Sequence, residues 1–482
     1  MDHLSNFFSY GLLAYALIML CCYLFLGTLA ILEAISYLRK SKLTDYNLLA
    51  SSPYAPSVSI LAPAYNEGAN IIENVRSLLN IYYNHLELIV INDGSKDNSM
   101  EKLISAYQLE PVQITYNQRL STKKVKAIYK STNPVYSKLL VIDKENGGKA
   151  DALNTGINLA SNQYLVCIDV DCILEQDALL KLVKPFMDTS DQKVIATGGV
   201  VRIANSCLFE NGKLVEVNLP KQFLPRVQAL EYIRAFLLGR MAWSRLNGLL
   251  LISGAFGAFD RKIAIEAGGY DHSTVGEDME LVVRMRRYMA DRKIPYKVTF
   301  IPDPLCWTEA PASYKILGRQ RNRWMRGTIE TLKMHRALFF NPKYGLLGLM
   351  SYPYWFFFEF LAPVVEFIGL VIFVILALNG MINWPFFLAM TAFILLFGWL
   401  FSIFAILMEV ATFNQYKKKG EVANLILTAL IEPFFFHPFV VWSSIRGIVD
   451  FLRKRNSWGE MTRQGFSAPI TKLATPIEAD KL

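Results

Sequence analysis

Apolar residues are distributed along the chain in two regimes. Near-continuous runs cover residues 7–35 and, in three blocks, 352–449; a bilayer core is crossed by a helix of about 20 such residues, and the runs reach that length. Between them, residues 41–310 form a polar block of roughly 270 residues, enough for one sizeable core. Inside it, Val58-Ser59-Ile60-Leu61-Ala62 and Leu86-Glu87-Leu88-Ile89-Val90-Ile91 are short, branched runs that end at turn formers, and residues 71–79 between them have helical spacing. Strand, helix, strand predicts a βαβ unit. Residues 139–142 and 164–168 repeat the theme around a helix over 150–160, so the block is expected to be an α/β domain with a mostly parallel open sheet.

The first apolar run lacks a basic leader and is too long for a signal core, which predicts a retained membrane helix in residues 1–40. Residues 1–6 and the loop 379–384 carry no Lys or Arg, whereas Arg39, Lys40, Lys42, Lys417 to Lys419 and Arg453 to Arg455 flank the other ends. The positive-inside rule then puts the polar block in the cytoplasm and predicts three crossings. The last run has Glu432-Pro433 and His437-Pro438 at its middle, so a broken interfacial or re-entrant segment with a cytoplasmic tail (451–482) is expected; an additional crossing is the alternative.

Composition sharpens this picture: 53% of residues are hydrophobic and only 19% charged, too apolar for an ordinary soluble enzyme. The net charge of +9 sits beside the apolar runs, which favours a lipid surface over nucleic acid. Six cysteines without paired spacing or a histidine cluster suggest neither disulfides nor structural zinc, and fit a reducing compartment.

Open α/β sheets bind ligands beyond the carboxyl ends of their strands, and polar groups cluster there. Pro63-Ala64-Tyr65-Asn66-Glu67 follows the first strand, Asn92-Asp93-Gly94 the second, and Asp169-Val170-Asp171 a later one. Asn92-Asp93-Gly94 is by itself a turn, to which its strand-end position adds a binding reading. An extended backbone would point Asp169 and Asp171 to one side, a hard oxygen pair suited to Mg²⁺ or Mn²⁺. Gly147-Gly148-Lys149-Ala150-Asp151 opens a helix, where Lys149 would steady a phosphate and Asp151 a ribose or base. Ser253-Gly254-Ala255 is a small-residue shelf suited to packing or to an approaching acceptor. Gly276-Glu277-Asp278 starts an amphipathic helix, with Asp278 as an N-terminal capping acid or as the base that takes a proton from an attacking hydroxyl. Finally Gln320, Arg323 and Trp324 stand at i, i+3 and i+4 of a basic helix within 311–345 that runs into the membrane region 346–450. A guanidinium and an amide hold phosphate while the indole offers a flat platform, the requirement of a sugar nucleotide beside a sugar acceptor.

Taken in order, these segments resemble the membrane-embedded family-2 glycosyltransferases that include cellulose, hyaluronan, chitin-oligosaccharide and poly-N-acetylglucosamine synthases, over residues 57–331. The resemblance implies a GT-A (Rossmann-like) cytoplasmic domain inserted between a transmembrane helix and a transmembrane or interfacial region, and an inverting displacement from a UDP-sugar. It implies that Asp93 meets uracil, Asp169 and Asp171 hold the metal, Asp278 is the base, and Gln320, Arg323 and Trp324 contact diphosphate and acceptor. Tyr65, Glu67, Lys149 and Asp151 join the donor set; Ser253, Gly254 and Glu277 join the acceptor set. Lys149 to Asn154 look most like the poly-N-acetylglucosamine synthases, which points to UDP-N-acetylglucosamine, a growing polysaccharide and the cell (inner or plasma) membrane. Trp458-Gly459-Glu460-Met461-Thr462-Arg463 is similar to a cytoplasmic segment that covers the nucleotide, with Arg463 on the diphosphate. Three crossings are fewer than in cellulose or hyaluronan synthases, so a second copy or an accessory export subunit is expected to help form a channel. The rival expectation is a non-processive transferase acting on a lipid-linked or glycolipid acceptor.

Overall fold

The computed structural model describes residues 2–188, 191–210 and 212–454. The strands are β1 (Val58–Ala64), β2 (Leu86–Asn92), β3 (Leu109–Val112), β4 (Val125–Ser131), β5 (Leu139–Lys144), β6 (Tyr164–Ile168), β7 (Ile173–Leu174), β8 (Lys193–Ile203), β9 (Leu208–Glu210), β10 (Lys213–Glu216), β11 (Phe256–Asp260) and β12 (Tyr296–Thr308). β9 and β10 form a hairpin; the others make one sheet in the order β3-β4-β5-β2-β1-β6-β11-β8-β12-β7. The central four, β5-β2-β1-β6, are parallel, as are β8 and β12. β11 enters antiparallel between β6 and β8, so the sheet is mixed around a parallel centre. Burial on both faces explains the unbroken apolar runs of the central strands: Val58, Ile60, Leu61, Leu88, Val90 and Val141 are fully enclosed. The connecting helices Ile71–Leu79 and Lys149–Leu159 fall where helical spacing predicts them, the second one residue early.

Among the described residues, four helices are long and apolar enough to cross a membrane: Ser9–Lys42, Leu347–Leu378, Trp384–Thr412 and Glu421–Leu452. The break expected at Glu432-Pro433 is absent, because Glu421–Leu452 runs unbroken through Pro433 and Pro438. Tertiary anchors hold that stretch in place. Arg234 grips both oxygens of Glu432, and His437 reaches Glu366 at 2.7 Å. This helix is tied at both ends: Leu219 N–H of the sheet domain donates to Glu421, and Asn322 on the helix Tyr314–Met334 donates to Asp450.

One element was not anticipated. Residues 223–245 form a continuous helical rod, Phe223–Ile233, a π-helical Arg234–Arg240 and Met241–Arg245, inside the supposedly polar block. It bridges sheet and apolar helices, with Arg226 donating to Thr428, Arg234 to Ser402, and Arg245 paired to Glu33 at 3.1 Å. Its arginines masked its apolar face in the sequence.

Candidate active site

The loops after β1 and β2 are clipped together at the sheet's carboxyl edge. Asp93 N–H donates to Ala64 O, Asn66 N–H to Ser95 Oγ, Lys96 N–H to Asn66 Oδ1 and Glu67 N–H to Ser99 Oγ. Asn66 adopts φ 56°, which an Asn accepts at small cost, and Tyr65 beside it is 46% exposed. Both positions lie at the rim of β1.

Asp93, expected by resemblance to meet uracil, is turned inward. Its carboxylate is buried and accepts from Lys144 Nζ at 2.7 Å, Gly147 N–H at 3.0 Å and Gly148 N–H at 2.8 Å. Lys144, fully buried and unnoticed in the sequence, also pairs with Asp151 Oδ1 at 2.6 Å, while Asp151 accepts the Lys123 N–H. Two acids around one ammonium therefore lock the Gly147-Gly148 turn that starts the Lys149–Leu159 helix. Gly148 has φ 86° and Gly94 has φ 66°, and a Cβ on Gly94 would stand 2.7 Å from Asn146 N. The glycines are thus required by backbone conformation and close approach.

Beyond that turn Lys149 reaches the acidic pair. Its ammonium pairs with Asp169 Oδ1 and donates to Gly254 O at 3.1 Å. Burial pushes the ammonium down, but Asp169, with Glu277 and Asp278 behind it, outweighs burial and holds it above the ordinary lysine value. Asp169 and Asp171 do come together, though not by strand alternation: β6 ends at Ile168, and a turn closed by Cys172 N–H to Asp169 O at 2.9 Å brings them round. Their oxygens and the Cys172 sulfur lie within 4.8 Å of one another. A hydrogen bond to Cys306, with burial, holds the Cys172 thiol well above its usual range, so it stays protonated and leaves a two-carboxylate oxygen set. That set fits a hard divalent ion.

Asp278 faces the same space. Its Oδ2 accepts from Gly254 N–H at 2.9 Å and its Oδ1 from Met279 N–H at 2.8 Å. Gly254 thus touches both Lys149 and Asp278, and a Cβ there would stand 3.0 Å from Asp278 Oδ2. Neighbouring Glu277 is buried, and burial followed by the charge of Asp278 pushes it up to about 7.

Gln320, Arg323 and Trp324 lie on the helix Tyr314–Met334, capped by Ser313 Oγ. All three line one cavity with Lys149, Asp169, Ser253, Gly254, Glu277 and Asp278. Gly276 and Gly327 explain the proximity: the two backbones touch so closely that a Cβ on either would lie 2.7 Å from the other's Cα. Glu330 completes the clip by accepting from Thr274 Oγ1 and Val275 N–H. Arg321 stacks 4.2 Å over Trp324 and pairs with Glu231, which holds the indole in place. Tyr65, Glu67, Asp93, Asp151 and Asp171 do not line this cavity, and Arg463 lies outside the described residues.

The cavity does not stop at the indole. It holds about 1200 Å³ and continues past Arg240, Glu359 and Arg234 between the apolar helices to Tyr15, Phe386 and Asn383, in the loop between two of them. The cavity wall supplied by residues 223–245 was missed in the sequence, where only the arginines spaced through an apolar run could have signalled it.

A family profile described as Glycosyl transferase family 2 matches residues 59–206, and one described as Glycosyl transferase family group 2 matches residues 164–403. Among curated relatives, the poly-beta-1,6-N-acetyl-D-glucosamine synthase of Staphylococcus epidermidis is 28% identical over 296 residues, 61% of this chain and 60% of that one. That of Staphylococcus aureus is 30% identical over 277 residues, 57% of this chain and 55% of that one. The matched part thus spans less than two thirds of these relatives. A mannosyltransferase from Pyrobaculum calidifontis, solved with GDP-Man and Mn²⁺, aligns over 89% of this chain and 99% of its own at TM-score 0.48 and 16% identity. Glucosyl-3-phosphoglycerate synthase from Mycobacterium tuberculosis, solved with Mn²⁺ and UDP, aligns over 59% of this chain and 82% of its own at TM-score 0.33 and 17% identity.

Proposed function

The chain belongs to glycosyltransferase family 2, and from that membership we propose that it transfers N-acetylglucosamine from UDP to the end of a growing polysaccharide and passes the product into the membrane. The observation that carries this reading is the single cavity that joins Asp169 and Asp278 to Trp324 and continues between the apolar helices. A lipid-linked acceptor receiving one sugar needs no such conduit. The curated relatives, both poly-N-acetylglucosamine synthases, support the choice of sugar and polymer.

In this proposal Tyr65 and Glu67 meet the nucleoside, and Asp93 and Asp151 shape its pocket from within through Lys144. Lys149, Gln320, Arg323 and, from the tail, Arg463 bind the diphosphate. Asp169 and Asp171 would hold Mg²⁺ or Mn²⁺, which when bound would offset negative charge on the diphosphate. Trp324 stacks the acceptor sugar while Ser253, Gly254 and Glu277 border it. Asp278, held by the Gly254 and Met279 amides, takes the proton of the attacking hydroxyl, and the anomeric carbon inverts as its bond to UDP breaks. The sheet domain (41–310) and the helices of 311–345 lie on the cytoplasmic face, where UDP-sugars are made. The helix Glu421–Leu452, tied at both ends to cytoplasmic elements, lies along the interface.

The test is to offer a panel of nucleotide sugars to the purified protein with Mg²⁺ or Mn²⁺ and to weigh the products. A ladder of N-acetylhexosamine additions from UDP-N-acetylglucosamine supports the proposal. A single addition to lipid, or use of another donor only, replaces it.

A further inference from the structure

Two π-helical turns, Arg234–Arg240 and Trp355–Phe360, border the cavity just beyond the catalytic groups. Such turns break the regular ladder and recur where a side chain must be re-aimed for function. The first delivers Arg234 and Arg240 to the cavity, the second Glu359.

Several other charges of the wall are already paired. Arg321 is paired with Glu231, Arg234 with Glu432, and His437 with Glu366. Arg240 only stacks, its guanidinium 4.0 Å over Phe236; it makes no ion pair among the described residues, and its Nη1 is buried without a hydrogen-bond partner. Glu359 accepts no hydrogen bond among the described residues, and it is an exposed side chain on the cavity wall. Arg240 lies within electrostatic reach of both Asp278 and Glu359, which links Glu359 to the Asp278 end of the cavity. A buried guanidinium nitrogen without a partner, on the same wall as a carboxylate that accepts nothing, leaves one donor and one acceptor for a ligand to complete.

We propose that Arg240 and Glu359 form the subsite for the second sugar of the acceptor and recognise its N-acetyl group. The carboxylate accepts the amide N–H and the guanidinium donates to the amide carbonyl. A planar amide carries one donor and one acceptor, which matches one anion and one cation. A uronate at this place would set its own carboxylate against Glu359. The proposal rests on the polysaccharide reading above, but its test does not need a long product.

The experiment measures KM for three acceptors with the full chain and a fixed donor: an N-acetylated amino-sugar disaccharide, the corresponding hexose disaccharide, and the N-acetylated monosaccharide. The wild type is expected to prefer the N-acetylated disaccharide over the hexose one by about 10- to 100-fold, the range for a charged hydrogen bond. Arg240→Met and Glu359→Gln should each remove most of that preference while leaving KM for donor and for monosaccharide unchanged. A preference retained in both variants, or a monosaccharide KM raised as much as the disaccharide KM, overturns the subsite. If the wild type adds one sugar and stops, the polymer reading fails, and the disaccharide ratio still decides the subsite.

Discussion

Gly327→Ala is a small change with a large expected effect on turnover. The new Cβ would lie 2.7 Å from Gly276 Cα and 2.9 Å from Gly276 N, backbone atoms that cannot swing aside. Ordinary contact needs about 3.4–4 Å, so the helix carrying Gln320, Arg323 and Trp324 must part from the Glu277-Asp278 turn by roughly 0.7–1 Å; a misplacement of that size costs on the order of 100-fold in rate. Overpacking of this kind also destabilises by about 1–3 kcal/mol. Initial rates of sugar transfer, with donor KM and a thermal midpoint measured on the same preparation, separate the two effects. The expected result is a kcat lower by about 10- to 100-fold together with a raised donor KM, because Gln320 and Arg323, two of the proposed diphosphate ligands, ride on the displaced helix. Gly276→Ala, whose Cβ meets Gly327 Cα from the other side at 2.7 Å, should reproduce the defect. Full turnover in both variants would refute the view that this glycine contact sets the catalytic geometry.

Further outcomes follow from the same site. Asp278→Asn should lower transfer by about 10²- to 10⁴-fold while UDP binding, read by calorimetry, stays near wild type, since an Asn can still accept the Gly254 N–H. Lys144→Met strands Asp93 and Asp151 without their shared cation and should cost about 3–5 kcal/mol, read as a large fall in thermal midpoint. Glu277, pushed up to about 7 from an ordinary 4.5, binds its proton more tightly folded than unfolded between those values. Its contribution to stability is therefore greatest below the lower value and is lost as pH rises through the upper one. Glu277→Gln cannot ionise, so its thermal midpoint relative to wild type should rise between acid and neutral pH; a constant difference would contradict the assignment.

The parallel centre of the sheet was readable because β1, β2, β5 and β6 are buried on both faces and so appear as unbroken branched runs. The shared face of Gln320, Arg323 and Trp324 was readable because helical periodicity is strict. What stayed hidden depended on distant partners. Lys144 looks like any strand-end lysine until Asp93 and Asp151 close on it. The Asp169-Asp171 pair is made by a turn, which an alternating pattern cannot reveal. Pro433 and Pro438 suggested a break, but Arg234 and Glu366 anchor their neighbours and the helix continues. Residues 223–245 were hidden because arginines that pair inside the protein read as surface charge in a sequence.

The central claim is that sugar transfer occurs at the mouth of a conduit through the chain's own apolar helices. It is tested most directly by reconstituting the purified protein into sealed vesicles with UDP-N-acetylglucosamine and Mg²⁺ or Mn²⁺ supplied only outside. Polymer that accumulates inside, and is cut by an added hexosaminidase only after detergent, is the predicted result. Product confined to the outer face, fully open to the enzyme before detergent, would contradict it.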